Sequence, residues 1–112
     1  MKQQTSELIR HALNWAVAKC IGYKDKDFCP HDKYFRDEDN KWFSPADDWA
    51  QGGPIIEREL VRVQPFMGKW IAYMDHTPAH ADGPTPLIAA MRCYVASQLG
   101  DEVDVPEELM AV

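Results

Sequence analysis

Two groups of residues in this chain have the types and spacing to hold a small ligand. The first is Asp48-Trp49, Gly52-Gly53 and Glu57-Arg58. An indole offers a flat face for a base or another ring. Paired glycines let a ligand approach the backbone closely, and a carboxylate at 48 or 57 accepts from a ribose hydroxyl or an amine. The second group starts at Thr85. A helix opening there exposes backbone N–H groups that bind anions. Arg58 or Arg62 would add charge-assisted donors to a phosphate or carboxylate. Arg92 lies two turns down that helix and need not reach its end. Together, Asp48, Trp49, Gly52, Gly53, Glu57, Arg58, Thr85 and Arg92 predict a pocket for a small anionic or nucleotide-like ligand. Each group also has a plainer role: Thr85 capping its own helix, Arg58 paired with a nearby acid, Trp49 packed beside a glycine pair. Neither G-x-G-x-x-G nor G-x-x-x-x-G-K-[ST] is present.

Other chemistry is less well supplied. Cys29-Pro30-His31, His76 and His80 would make a four-ligand zinc site only if the fold happened to gather them. His76 and His80 share a face only on a helix, and Pro78 argues against one. The run from Asp25 lacks the glycine and glutamate of a calcium loop. No cysteine or serine stands in sequence beside a base and an orienting group. The expectation is a binding protein rather than an enzyme, with no metal and no cofactor.

Composition narrows the partners. The chain has 112 residues, 46% hydrophobic and 27% charged, with a formal charge of -6. Area scaling gives about 6,300 Å² folded against about 18,600 Å² extended, enough burial for a single domain without staples. Nine acids and four bases follow from Glu57 onward. Duplex nucleic acid is therefore disfavoured, because no basic surplus exists to release counterions. A basic surface on another protein remains open, which makes a protein–protein module that modulates an enzyme through its acidic surface the alternative. No run approaches eighteen apolar residues, so no ordinary spanning helix is expected. The opening segment lacks a signal-peptide core. Cys20, Cys29 and Cys93 are an odd, sparse set that fits reduced thiols in a cytoplasm.

The elements that must position these residues are partly readable. Thr5 to Cys20 has helical apolar spacing through Leu8, Leu13, Ala16 and Val17, and Gly22 stops it. Tyr23 to Phe43 is either a ribbon, with Tyr34-Phe35 and Trp42-Phe43 as arms turning near Asp39-Asn40, or an irregular excursion anchored by aromatics. Ser44 caps a short helix with Pro45 in its first turn, and Gly52-Gly53-Pro54 ends it near Trp49 or Gln51. Glu59 to Gln64 and Trp70 to Met74 read as an antiparallel pair turning at Met67-Gly68-Lys69, which needs a third strand or a helix cover. Asp75 to Pro84 reads as loop. Thr85-Pro86 opens the last helix and Gly100 closes it after Leu99. The acidic tail, residues 101 to 112, is either solvated and flexible or laid along the domain. Ala89, Ala90, Cys93, Ala96 and Ser97 offer a small-residue face for two-fold pairing, making the expected state a homo-oligomer. The fold expected is a small single-domain α+β protein, its N-terminal and C-terminal helices packed on a short antiparallel sheet.

Two long strings carry a resemblance. Asp48-Trp49-Ala50-Gln51-Gly52-Gly53-Pro54-Ile55-Ile56-Glu57-Arg58 resembles a signature of the NinX-like proteins of tailed bacteriophages. Gly83 through Ser97 is similar to a second. The stretch Ala12 to Ala18 and the Leu99-Gly100-Asp101-Glu102-Val103 exit are similar as well. The resemblance implies an accessory phage protein working in the host cytoplasm, supporting phage growth or blunting a host defence. It supplies no catalytic residues.

Overall fold

The helix that Thr85 opens is the hub of the molecule. The computed structural model describes residues 1–109. In chain order its elements are β1 (Lys2–Gln4), α1 (Arg10–Cys20), β2 (Phe28–Cys29), β3 (Tyr34–Phe35), α2 (Trp49–Glu59), β4 (Arg62–Phe66), β5 (Lys69–Tyr73), β6 (His80–Gly83), α3 (Pro86–Leu99) and β7 (Glu102–Asp104). Short 3-10 turns occupy Thr5–Glu7, Asp25–Asp27 and Glu107–Leu109. The β4, β5 and β6 strands form an antiparallel sheet in that order, and α3 lies across it. Both α1 and α2 pack against α3. Leu8, Leu13, Val17, Met91 and Val95 are fully buried at the centre. The class is α+β, as the sequence predicts.

The last helix forms where its local signals put it. The Thr85 hydroxyl accepts from Ile88 N at 3.1 Å, Pro86 takes the first position, and the chain leaves at Gly100. The small-residue stripe on α3 is a different matter. Ala89, Ala90 and Cys93 have no exposed surface. They face the sheet and the neighbouring helices inside the protein, so the expected pairing face is interior.

The first helix is shorter than its apolar spacing predicts. Thr5–Glu7 forms a 3-10 turn, Leu8 and Ile9 are extended, and α1 begins at Arg10 with φ 54°. The reason is a long-range contact: the Leu8 carbonyl, which a continuous helix would use internally, accepts instead from Arg92 Nε at 2.8 Å. The tail takes the second of its two expected courses. It lies along the domain, where β7 pairs antiparallel with β1 (Gln3 opposite Val103) and Val103, Val105 and Leu109 are buried. Residues 110–112 of that tail lie outside the described residues.

The middle of the chain departs further. Ser44 caps a turn, not a helix; α2 starts at Asp48, whose Oδ1 accepts from Ala50 N at 2.9 Å. The turn is held by Asn14 Oδ1, which accepts from Ala46 N at 2.9 Å, and by Gln51 Oε1, which accepts from Ser44 N at 2.6 Å. Gly52, Gly53 and Pro54 do not end α2, which continues to Glu59. Pro54 falls on an exposed face, where water can satisfy the Ala50 carbonyl that loses its partner. Gly52 is buried because α2 crosses the chain very closely there: a Cβ at 52 would collide with the Pro45 carbonyl oxygen and lie 2.6 Å from Leu87 Cδ2. Tertiary packing outweighs the low helix propensity of the pair. The helix stops at Leu60, which is left-handed (φ 57°), so the strand runs over Arg62–Phe66 instead of Glu59 to Gln64.

The ribbon and aromatic-anchor ideas for residues 23–43 both describe part of what is there. Phe28–Cys29 pairs with Tyr34–Phe35, Arg36 bridges Trp42, and Asp37 N donates to the Lys41 carbonyl at 2.7 Å. Tyr23 stacks on Phe43, Tyr34 stacks on Trp42, and the Arg36 guanidinium sits 3.8 Å over the Trp42 ring.

The sheet gains its third strand from the segment expected to be loop. Met67 and Gly68 have φ 49° and 83°, a two-residue turn of the hairpin-favouring mirror type. Its closing pair, Phe66 and Lys69, is a hydrogen-bonded one. Alternation then turns Ile71 and Tyr73 toward β4, and Trp70 and Ala72 toward β6. Ala81 and Gly83 therefore bond to β5, while His80 and Asp82 direct their N–H and C=O groups away from the sheet.

Candidate functional site

Arg92 is the residue around which a site is built. Its neighbours on α3 are apolar, yet its side chain is only 8% exposed. The guanidinium spans two elements. Nε donates to the Leu8 carbonyl, and Nη1 donates to the outward-facing Asp82 carbonyl at 2.9 Å. Among the described residues it makes no ion pair, and Nη2 has no protein acceptor. Burial pulls its pKa below the ordinary arginine value; Asp82 and Glu7 oppose that shift through space. Asp82 is itself held by Lys69 at 2.7 Å, which lowers its carboxyl pKa.

Arg92 forms part of the wall of a groove along the outer edge of β6. Three hollows meet there, with Ser6 and His80 in the wall of each. The largest, about 540 Å³, is lined by Thr77, Pro78, Ala79, Ser97 and Asp101. The central one, about 140 Å³, contains Arg92, Gln4 and Asp101. The third, about 300 Å³, runs onto the sheet beside Ile71, Tyr73 and Asp82. His80 Nδ1 lies 3.2 Å from the Pro78 carbonyl. A carbonyl only accepts, so Nδ1 carries the proton and Nε2 is left facing outward. The lining mixes hydroxyls, an imidazole and the Arg92 guanidinium with the carboxylates of Asp101 and Asp82.

The other residues singled out in the sequence sit elsewhere and have local work. Asp48 caps α2, and the Thr85 hydroxyl caps α3. Arg58 Nε donates to Glu59 at 2.8 Å, which with nearby Tyr94 raises its pKa. Glu57 is exposed on α2. Trp49 is 56% exposed. Gly52 does lie beside the amino end of α3, but Leu87 and Pro45 fill the space between. Of the eight, Arg92 lines the groove. Sequence reasoning missed Ser6, Thr77, Ser97 and Asp101, and weighed His80 only as a metal ligand. The one available signal was a charged residue in the middle of an apolar helix.

A separate hollow, about 410 Å³, lies between α2 and the Asp37–Asp39 turn, beside Tyr23 and Phe43. It is acidic. The Asp37 carboxyl is held below the usual carboxylate range, first by the Lys41 backbone N–H and then by the Gln51 amide. Its sign is wrong for an anion. Among the described residues, no group of three His, Cys, Asp or Glu side chains is placed to hold a metal ion, and no helix is long and apolar enough to cross a membrane.

The family model for NinX of bacteriophage P22 matches residues 4–98. The chain belongs to that phage family. The match spans α1, α2, the β4–β6 sheet and nearly all of α3, and so includes Arg92 and both of its carbonyl partners. No curated protein matches the chain.

Cys20 and Cys93 are placed for packing. Burial pushes the Cys20 thiol up to about 12 and the Cys93 thiol up to about 11. At pH 8 the reactive thiolate is then on the order of 10⁻⁴ and 10⁻³ of each, against roughly a quarter for an ordinary thiol. Iodoacetamide at pH 8 is expected to leave both unmodified in the folded protein and to label all three cysteines in guanidinium chloride. Mass spectrometry of tryptic peptides reads this directly; rapid native labelling at Cys93 would contradict its placement.

Proposed function

We propose that this phage protein is a small-ligand binding module, working in the infected cell's cytoplasm, whose anion-accepting group is Arg92 in the groove beside β6. The observation that carries the reading is a buried guanidinium with two donors fixed on backbone carbonyls and a third nitrogen unused. A buried charge is costly unless it is paired and hydrogen-bonded, and an anion at Nη2 would complete the set with a charge-assisted bond. The Ser6 hydroxyl would supply a neutral donor beside it. The phage family supports the setting but does not name the ligand.

Inorganic phosphate at constant ionic strength is the first probe. It is expected to bind the wild type and raise its melting temperature, since a ligand of the native state stabilises by mass action. His80→Glu adds a carboxylate at an exposed groove position and is expected to weaken phosphate binding tenfold or more. Arg58→Ala, on the far end of α2, is expected to leave it within twofold. If Arg58→Ala abolishes binding while His80→Glu spares it, or if neither phosphate nor acetate binds, this reading is wrong.

A further inference from the structure

We infer that the ligand of the groove is a free amino acid, held as a zwitterion with its carboxylate on Arg92 and its ammonium group on Asp101. The inference rests on the reading of Arg92 as an anion acceptor and names the class of molecule that would carry the anion.

The independent observation is a second unsatisfied charge in the same hollow. The central hollow, about 140 Å³, has both Arg92 and Asp101 in its wall. The two make no ion pair with each other, and the Asp101 carboxylate has no hydrogen-bond partner among the described residues. Only the main-chain carbonyl of Asp101 is engaged, accepting from Thr5 N at 2.8 Å. The other carboxylate on the groove is committed, since Lys69 holds Asp82 at 2.7 Å. A bare anion at Arg92 Nη2 would satisfy the guanidinium but share its hollow with the Asp101 charge, which opposes it. A ligand with one charge of each sign satisfies both groups through charge-assisted bonds. A nucleotide, with several negative charges and no cation, fits this wall less well.

The last helix sets the order of the two charges. Arg92 and Ala96 are about one turn apart on one side of α3, and both line the hollow. The ammonium group would lie toward the carboxyl end of α3, where the helix dipole favours a cation. The carboxylate would lie a turn back, at the guanidinium, with the Ser6 hydroxyl beside it. Gln4 adds an acceptor for the ammonium group: its amide nitrogen donates to Glu102 at 3.3 Å, which leaves its oxygen unused. Size agrees with charge. The central hollow is well below the roughly 300–1,000 Å³ of a site for a drug-sized ligand, and it suits a head group. The 540 Å³ hollow shares Ser6, His80, Ala96 and Asp101 with it, which gives a side chain a way out past Pro78 and Ala79.

The test titrates the whole protein by calorimetry at pH 7 and constant ionic strength, with L-alanine, N-acetyl-L-alanine, L-alaninamide and acetate as probes. Alanine is expected to bind at least tenfold more tightly than acetate. Acetylation removes the ammonium charge and amidation removes the carboxylate, and each should cost tenfold or more. Asp101→Asn keeps the main-chain bond to Thr5 N, and should cost alanine tenfold while costing acetate nothing. The Arg92 Nε–Hε signal should shift with both alanine and acetate. Equal affinities for alanine and its N-acetyl form, or full alanine affinity in Asp101→Asn, overturn the inference. If acetate binds and shifts Arg92 while alanine gains nothing over it, the zwitterion fails and the small-anion reading stands; if neither binds, both fail.

Discussion

Replacing Arg92 by Met is expected to destabilise the protein by about 3 kcal/mol, because it leaves the buried Leu8 carbonyl and the part-buried Asp82 carbonyl without donors and each such loss costs roughly 1–3 kcal/mol. Relief of the guanidinium's own desolvation keeps the figure below the sum. In a domain of this size the melting temperature should fall by roughly 10 °C. Urea unfolding should show a lower midpoint with an unchanged slope. The contact ties the start of α1 to the edge of the sheet through α3, so hydrogen exchange should rise first at residues 8–13 and 80–83. Arg92→Lys, which has one compact ammionium-type head and no fork, should recover part of the loss but not both bonds. An unchanged midpoint for Arg92→Met would mean the two carbonyls have other partners.

The second large effect separates two adjacent glycines. Gly52→Ala is expected to cost about 3 kcal/mol, since its Cβ collides with a backbone oxygen, which cannot rotate away, and with Leu87. Gly53→Ala should be close to neutral. Beyond its chain neighbours a Cβ there meets only the Trp49 ring at 3.9 Å, and the roughly 1 kcal/mol that alanine gains over glycine within a helix is opposed by the Pro54 ring, which disfavours helical geometry in a preceding residue with a Cβ. Thermal unfolding should therefore show a large loss for Gly52→Ala and a small shift for Gly53→Ala. Equal losses would mean that α2 does not cross Pro45 and Leu87 as described.

That pair also shows where reading a sequence succeeds. Thr85, Pro86 and Gly100 act through bonds to their immediate neighbours, so α3 is legible within its own fifteen residues. Gly52-Gly53-Pro54 carries the same kind of local signal, and there it misleads. The glycine at 52 is required by a carbonyl seven residues away and a leucine thirty-five residues away, and packing holds the helix together across it. β6 was unreadable for a related reason. His80-Ala81-Asp82-Gly83 has little strand propensity; it is a strand because β5 pairs with it and because Gly83 lets the backbone of α3 approach, a Cβ there lying 2.9 Å from Ala89 N.

The candidate site was legible in one residue. Arg92 stands out as a charge among apolar neighbours, but its partners are main-chain atoms, which leave no mark in side-chain patterns. The groove's remaining walls come from the 3-10 turn, the segment before β6, the end of α3 and its exit. Small polar residues such as Ser6, Thr77 and Ser97 have no distinguishing spacing, and only the pairing of β1 with β7 brings Ser6 and Asp101 to one place. Conversely, Asp48, Thr85 and Arg58 drew notice because caps and charge pairs resemble ligand-binding chemistry in type, and each is engaged by its own helix.

An anion that enters beside Arg92 must perturb the guanidinium. A nitrogen-15 NMR titration with inorganic phosphate reads this, because side-chain Nε–Hε signals of arginines are seen along with backbone amides. Saturable shifts are expected at the Arg92 side chain and at the amides of Ser6, His80, Asp82 and Ser97, with Trp49, Gly53 and Arg58 unmoved. Shifts centred on Trp49 and Arg58, or none at Arg92 at saturating phosphate, would contradict it.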